Sequence, residues 1–262
     1  MNELTRRDEA FWRQLRAATP ARIGLSRTGT ALATSDLLAF QRAHAEARDA
    51  VHDGLDSEAL AEQLKHHALD IVQLHSAAPD RATYLARPDL GRQLDEASRA
   101  QLAILPPGHD LAFVVADGLS ARAVAHHAEP VLALTLAELR HRGLRIGPIA
   151  IVRQGRVAIG DAFGFALQAK LVAVLIGERP GLSAPDSLGI YLTWAPAPGR
   201  NDAERNCLSN IRPEGMGYAE AAQRLSGLVS AALDRQLTGI ALKDTLETDD
   251  PPLKITGAGE GT

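Results

Sequence analysis

The stretch Lys170-Leu-Val-Ala-Val-Leu-Ile-Gly-Glu-Arg-Pro-Gly181 decides how this sequence folds. An unbroken apolar run from Leu171 to Ile176 is the pattern of a strand buried on both faces, as in a parallel sheet covered by helices on either side. The run stops abruptly in Gly177, Glu178, Arg179, Pro180 and Gly181. A carboxylate and a guanidinium thus stand beside two glycines and a proline at the carboxyl end of a parallel strand, where open α/β sheets bind their ligands. The plainer alternative for this loop is a charged turn with Glu178 and Arg179 simply solvated.

Upstream, Pro106-Pro107-Gly108 marks a change of texture. Leu111 to Ala116 is a second buried run, followed by Asp117-Gly-Leu-Ser120. Ala121 to His127 and Val131 to Arg142 read as helices broken by Pro130, the second ending at Gly143. Ile146 to Val152 reads as a strand containing Pro148, and Asp161 to Ala169 as a short helix. Downstream, Ser187 to Trp194 reads as a further strand. Pro196 to Gly217 is a polar segment that contains Cys207, and Tyr218 to Leu237 is an amphipathic helix. Strands alternating with helices imply right-handed crossovers and a parallel sheet.

The expected fold class is therefore α/β. A Rossmann-like parallel sheet with flanking helices spans 105–244, preceded by a smaller, mostly helical region over 1–104. Helices are expected there over 1–20, from the caps Thr34 to Asp36 as far as Gly54, from Ser57 through Leu60, Leu64, His67 and Ile71, and from Pro88-Asp89 onward. Residues 245–262, with Asp249-Asp-Pro-Pro252 and a glycine-rich end, are expected to be disordered.

Composition excludes several function classes. The 262 residues carry a net charge of −4 and only ten aromatic residues, so neither a basic nucleic-acid surface nor a base-stacking platform is expected. One cysteine, Cys207, rules out an intramolecular disulfide and suits a reducing cytoplasm. No apolar run approaches the ~20 residues that span a bilayer, and no secretory h-region follows the N-terminal charges.

Several catalytic motifs are missing. No GxGxxG follows the first strand of the α/β part, and GxxxxGK[ST], HExxH and CxxC do not occur, which removes the usual phosphate cradles and metal frames. Ser120 reads as the N-cap of the following helix rather than a nucleophile. The pairs His66-His67 and His126-His127 point about 100° apart on a helix, so a pair alone closes no metal site, and none is expected. Loops 117–120, 153–156 and 177–181 share one rim of a parallel sheet. With Cys207 to Asn210 they form a broad, shallow surface, better suited to a large amide-bearing ligand than to a small anion.

Five blocks in order carry a resemblance: LeuAlaArgProAspLeuGlyArgGlnLeu (85–94), PheValValAlaAspGlyLeuSer (113–120), GlyArgValAlaIleGlyAsp (155–161), LeuIleGlyGluArgProGlyLeu (175–182) and AsnCysLeuSerAsnIleArg (206–212). From about Ala21 to about Leu242 the chain resembles the small (light) subunit of ethanolamine ammonia-lyase. The resemblance implies a hetero-oligomer whose large TIM-barrel subunit holds the substrate site. It implies adenosylcobalamin as cofactor and conversion of ethanolamine to acetaldehyde and ammonia. The small subunit of that family contributes no catalytic residue and contacts cobalamin at positions that fall on Val157, Glu178 and Cys207.

Cobalamin is expected to keep its own dimethylbenzimidazole ligand. Asp49-Ala-Val-His52-Asp-Gly54 has the wrong spacing for an Asp-x-His-x-x-Gly base, and His52 reads as a helix-terminal histidine. The N-terminus is shorter than in relatives whose extra segment directs them into a bacterial microcompartment, so the expected location is the cytoplasm, with a microcompartment as the variant. Two alternatives stand beside this reading. One is an assembly subunit in which 175–182 is only an interface. The other is a self-sufficient Rossmann-like enzyme, against which the missing phosphate loop speaks.

Overall fold

Strand order and burial were obtained from a computed structural model, which describes residues 3–25 and 27–244. In chain order the first elements are α1 (Glu3–Ala17), β1 (Arg27–Thr28), β2 (Ala31–Leu32), α2 (Thr34–His52), α3 (Ser57–Leu64), β3 (Ile71–His75), α4 (Arg81–Ala86) and α5 (Glu96–Leu102). There follow β4 (Leu111–Ala116), α6 (Ala121–Leu139), β5 (Ile146–Arg153), α7 (Ile159–Ala166), β6 (Leu171–Gly177), β7 (Leu188–Trp194), β8 (Arg205–Ile211) and α8 (Tyr218–Arg235). The pair β1–β2 is a small ribbon, and the other six strands form one sheet in the order β3-β5-β4-β6-β7-β8.

Every residue of β4 and β6 is buried, because successive side chains enter opposite layers. Phe113, Val115 and Leu175 pack with α3, α6 and α8. Val114, Val174 and Ile176 pack with α7, through Ile159 and Phe163. The helix α6 leads from β4 to its neighbour β5, and α7 leads from β5 back over β4 to β6. These connections lie on opposite faces, so the strand order reverses between β4 and β6, and the loops diverge there as at a ligand-binding switch point.

The sheet is mixed rather than wholly parallel. Strands β3, β5, β4 and β6 run parallel, whereas β7 is antiparallel to β6 and β8 to β7. A parallel return needs a crossover of about a dozen residues or more, usually a helix. The connections 178–187 and 195–204 contain no α-helix, so the chain folds back on itself.

Four local expectations are corrected. The helix from Ser57 ends at Leu64, its cap being Asp56, whose carboxylate accepts from Ala59 N at 2.9 Å. Ile71 belongs instead to β3, an edge strand with Val72 and Leu74 inward. The helix expected from Pro88 is a single 3₁₀ turn at 90–92, and α5 starts behind Asp95, which accepts from Ser98 N at 2.7 Å. Pro130 does not break α6. It removes one backbone donor while Ala128, Val131 and Leu132 hold the helix on the sheet. The polar segment around Cys207 is the strand β8, with Arg205, Leu208 and Ile211 buried and Cys207 and Ser209 exposed. Residues 245–262, expected to be disordered, lie outside the described residues.

One buried ion pair fastens α7 to the antiparallel end of the sheet. Arg205 donates through Nη1 and Nη2 to the two oxygens of Asp161, each at 2.7 Å, and through Nη1 to Thr193 Oγ1 at 2.9 Å. The side chains are 1% and 2% exposed. Burial pulls the Arg205 pKa down, but the Asp161 and Asp202 carboxylates together offset it, and the net shift is upward. Breaking a buried pair strands a charge, whereas replacing both partners by apolar groups does not. Asp161→Ala is expected to lose roughly 3–5 kcal/mol in urea denaturation, and Asp161→Leu with Arg205→Met to return to within about 1 kcal/mol of the parent. A single-variant loss below about 1 kcal/mol would show that the pair does not fasten α7.

Candidate functional site

The carboxyl ends of β4, β5 and β6 meet at one rim, where Asp117 joins the first two. Its carboxylate accepts from Gln154 N at 2.8 Å and Gly155 N at 3.0 Å, with Arg81 Nη1 at 3.9 Å. Burial pushes the Asp117 carboxyl above its ordinary range, against the pull of these backbone N–H groups and Arg81. The third loop docks through glycine. Gly118 has φ +58°, and a Cβ there would lie 2.3 Å from Gly177 O. This contact lets Leu119 N donate to Gly177 O at 2.9 Å. Ser120 Oγ caps α6 by accepting from Ala123 N at 3.3 Å, as the sequence suggested, and also donates to Pro185 O at 3.1 Å.

Tyr84 fills the flank of this rim and is wholly buried. The Arg81 and Arg156 guanidinium carbons lie 4.8 and 4.3 Å from its ring centroid, a favourable placement of cations on an aromatic face. Its hydroxyl donates to Gly155 O at 3.1 Å, and Arg81 Nη1 donates to Gly118 O at 2.8 Å. Burial raises the Tyr84 pKa far above its usual value, so the phenol stays a donor. Arg156 is held through its backbone N–H on Gly91 O at 2.7 Å, yet its Nε is buried with no hydrogen-bond partner among the described residues.

Two clefts open along the rim. One of about 470 Å³ lies between Tyr84, Gly118, Val157, Gly177, Glu178 and Tyr191. The other, of about 350 Å³, has Arg92, Arg200 and Asp202 in its wall. Arg156, Val157 and Tyr191 line both, so the two form a continuous shallow surface.

Val157 is half-buried in the first turn after β5. Glu178 follows β6 on the face of Val174 and Ile176, and its Oε2 accepts from Asn210 N at 3.0 Å. Asn210 has φ 56° and sits where β7 and β8 slip register between Leu188 and Ile190. Glu178 thus satisfies a bulge donor with one oxygen, while Oε1 makes no hydrogen bond among the described residues. Cys207 is exposed on β8, directly opposite Tyr191 in register. Partial burial of its sulfur pushes the thiol pKa up, a hydrogen bond from Tyr191 pulls it down, and the Glu178 charge pushes it up again. A neutral thiol results, suited to packing rather than to attack.

Val157, Glu178 and Cys207 therefore gather around one phenol, Tyr191, whose own pKa is driven well up by burial and by its anionic neighbours. Arg179 is exposed at the mouth of the larger cleft, as a solvated turn predicts. Sequence reasoning passed over Tyr84, Tyr191, Arg156 and the bridging role of Asp117. A usable signal existed, since the chain has only three tyrosines, and a phenol held in a folded chain usually has a polar partner.

Comparison with known proteins adds a family likeness. A family model described as the ethanolamine ammonia-lyase light chain matches residues 9–243. The ethanolamine ammonia-lyase small subunit of Pseudomonas syringae pv. tomato is 53% identical over 248 residues, 91% of this chain and 86% of its own length. That of Xanthomonas campestris pv. campestris is 54% identical over 253 residues, covering 95% and 92%. That of Azotobacter vinelandii is 50% identical over 265 residues, covering 100% and 97%.

The influence of the Glu178 charge on Cys207 has a chemical signature. Removing the carboxylate charge lowers the thiol pKa and increases the thiolate present at a given pH. Glu178→Gln is expected to speed iodoacetamide alkylation of Cys207 at pH 8 by about two- to fivefold. In both proteins the rate should climb with pH toward a plateau above the ordinary thiol range, the variant reaching it earlier. Superimposable pH–rate curves would refute this electrostatic coupling.

Proposed function

The chain belongs to the ethanolamine ammonia-lyase light-chain family, and on that premise we propose that it helps to bind adenosylcobalamin within an enzyme that converts ethanolamine to acetaldehyde and ammonia. The chain is a subunit of a carbon–nitrogen lyase. In this proposal a large TIM-barrel subunit carries the substrate site. The present chain, which contributes no catalytic residue, covers the cofactor from the side of its rim. The α/β part over 105–244, read as Rossmann-like around the β4/β6 switch point, supplies the cofactor contacts. Tyr84 and Arg92 from residues 1–104 close its flank.

One observation carries the reading: Val157, Glu178 and Cys207 converge on Tyr191 beside two confluent clefts. Their donor set fits a corrin. Its side-chain amides need acceptors and donors together, and here stand Glu178 Oε1 and backbone groups at Val157. The Tyr191 ring and Val157 offer apolar contact between these polar points. Because Oε2 is held by Asn210 N, Glu178 is oriented in advance and loses little freedom on binding. The cofactor, when bound, supplies the radical chemistry. The residues of this chain hold and orient it and keep water from its covered side.

The Glu178–Asn210 bond also favours a second reading, in which 175–182 is a structural and interface loop of an assembly subunit without cofactor contact. Among the described residues no helix is long and apolar enough to cross a membrane. The proposed working site is the cytoplasm, within a bacterial microcompartment where the host builds one, and no nucleic-acid partner is proposed.

The test is co-expression with the large subunit from the same organism, followed by adenosylcobalamin and ethanolamine, with acetaldehyde release and the corrin spectrum recorded together. Turnover should require both chains, with a base-on spectrum. Glu178→Ala should weaken apparent cobalamin affinity roughly three- to tenfold while the complex still co-elutes. Full turnover and cobalamin binding by the large subunit alone would overturn the proposal. Loss of the complex with unchanged cobalamin affinity would favour the assembly reading.

A further inference from the structure

The two histidine pairs do not remain pairs in the folded chain. Glu129 joins His66 and His67, and Asp186 joins His126 and His127, each trio with ligand-type atoms within 4.8 Å of one another. The divergence of adjacent helical residues is overcome by a carboxylate from a distant part of the chain. We propose that His126, His127 and Asp186 form a divalent-metal site of the zinc class, taking two imidazole nitrogens and one carboxylate oxygen and leaving a position for water.

Geometry separates this trio from the other. Asp186 Oδ2 lies 3.7 Å from His127 Nε2 and 4.0 Å from His126 Nδ1. Both separations are too long for hydrogen bonds. They are slightly wider than the edge of about 3.3 Å expected between tetrahedral ligands at zinc bond lengths. The His127 side chain is 6% exposed, and its Nε2 is buried without a partner among the described residues. Its other nitrogen, Nδ1, is 2.8 Å from Tyr218 Oη, the outer hydrogen bond that orients metal-bound imidazoles. In the tautomer whose Nδ1–H donates to Tyr218 Oη, the Nε2 lone pair faces the Asp186 carboxylate oxygen 3.7 Å away. A cation between these two acceptors resolves the arrangement.

The rival trio shares one feature, since His67 Nε2 is also buried without a partner among the described residues, but its carboxylate is already engaged. His66 Nε2 is 3.1 Å from Glu129 Oε1, within hydrogen-bonding distance, and Arg140 places a positive charge near His67. It reads as an ordinary ionic cluster.

A metal at the proposed site would clip α6 to the 178–187 connection, which carries Glu178 and Arg179. The Ser120–Pro185 bond already fixes that connection beside Asp186. The ion would act as a fastener for the rim and has no step in the reaction.

The test uses the full chain, stripped with EDTA and titrated with Co²⁺ and then Zn²⁺. One equivalent of Co²⁺ should bind with the visible absorption of a four-coordinate site, and Zn²⁺ should displace it. His126→Gln and Asp186→Ala should each weaken Zn²⁺ binding by at least about a hundredfold, and Tyr218→Phe by about tenfold. His66→Gln should leave binding unchanged. His126 is exposed and Asp186 partly so, so circular dichroism should confirm that both variants fold. Absence of one-equivalent binding would overturn the proposal. So would binding that His126→Gln and Asp186→Ala leave intact in folded protein.

Discussion

A single buried carboxylate governs the end of the sheet on which everything else is built. Asp117 ends the fully buried strand β4 and takes the first two backbone N–H groups beyond β5. Without it those donors would be hidden from water and unpaired, at about 1–3 kcal/mol each. With it the loops after β4 and β5 become one unit. The Gly118–Gly177 approach then adds the loop after β6, which only two residues without Cβ atoms allow. Tyr84 is pinned between Arg81 and Arg156 against the same unit. The rim is thus organised before any ligand arrives.

The antiparallel end of the sheet completes the site. Had β7 followed a helical crossover, Tyr191 and Cys207 would not face the end of β6. The direct return 178–187 places Tyr191 beside Val174 and Cys207 opposite Tyr191 in register. The register slip against β8 leaves the N–H of Asn210 outside the ladder, and Glu178 answers it. The same side chain thereby gains a fixed direction. The structural duty of Glu178 and the binding duty proposed for it would not compete, since they use different oxygens.

The legible parts of the fold were those with two buried faces. Leu111–Ala116 and Leu171–Ile176 stand out because neither face tolerates a polar residue. The missed strands are edges. Ile71–His75 exposes Gln73, and Arg205–Ile211 exposes Cys207, Ser209 and Asn210, so both read as a helix end or a loop. Arg205 was especially misleading, because a buried guanidinium needs Asp161 from another element, and no local pattern announces that partner. At the site, periodicity located the rim and the family resemblance pointed to Val157, Glu178 and Cys207. Their meeting point, Tyr191, depends on strand pairing between segments whose direction the sequence left open.

Unequal commitment of polar groups across the rim indicates where a ligand can bind without disturbing the fold. On the Asp117 side, Arg81 donates to Val51 O and Gly118 O, the Tyr84 hydroxyl donates to Gly155 O, and both Asp117 oxygens accept backbone N–H groups. A ligand competing for these groups would have to break bonds that hold the loops together. On the Tyr191 side, one Glu178 oxygen is free of hydrogen bonds among the described residues, and Cys207 is exposed. Polar contacts made to this side replace water rather than an existing bond, so a ligand there would not loosen the scaffold. The same division holds for the 178–187 loop, which has little secondary structure: its polar ends are fixed to β8 and to the start of α6, and its outer surface is the part left for the proposed ligand.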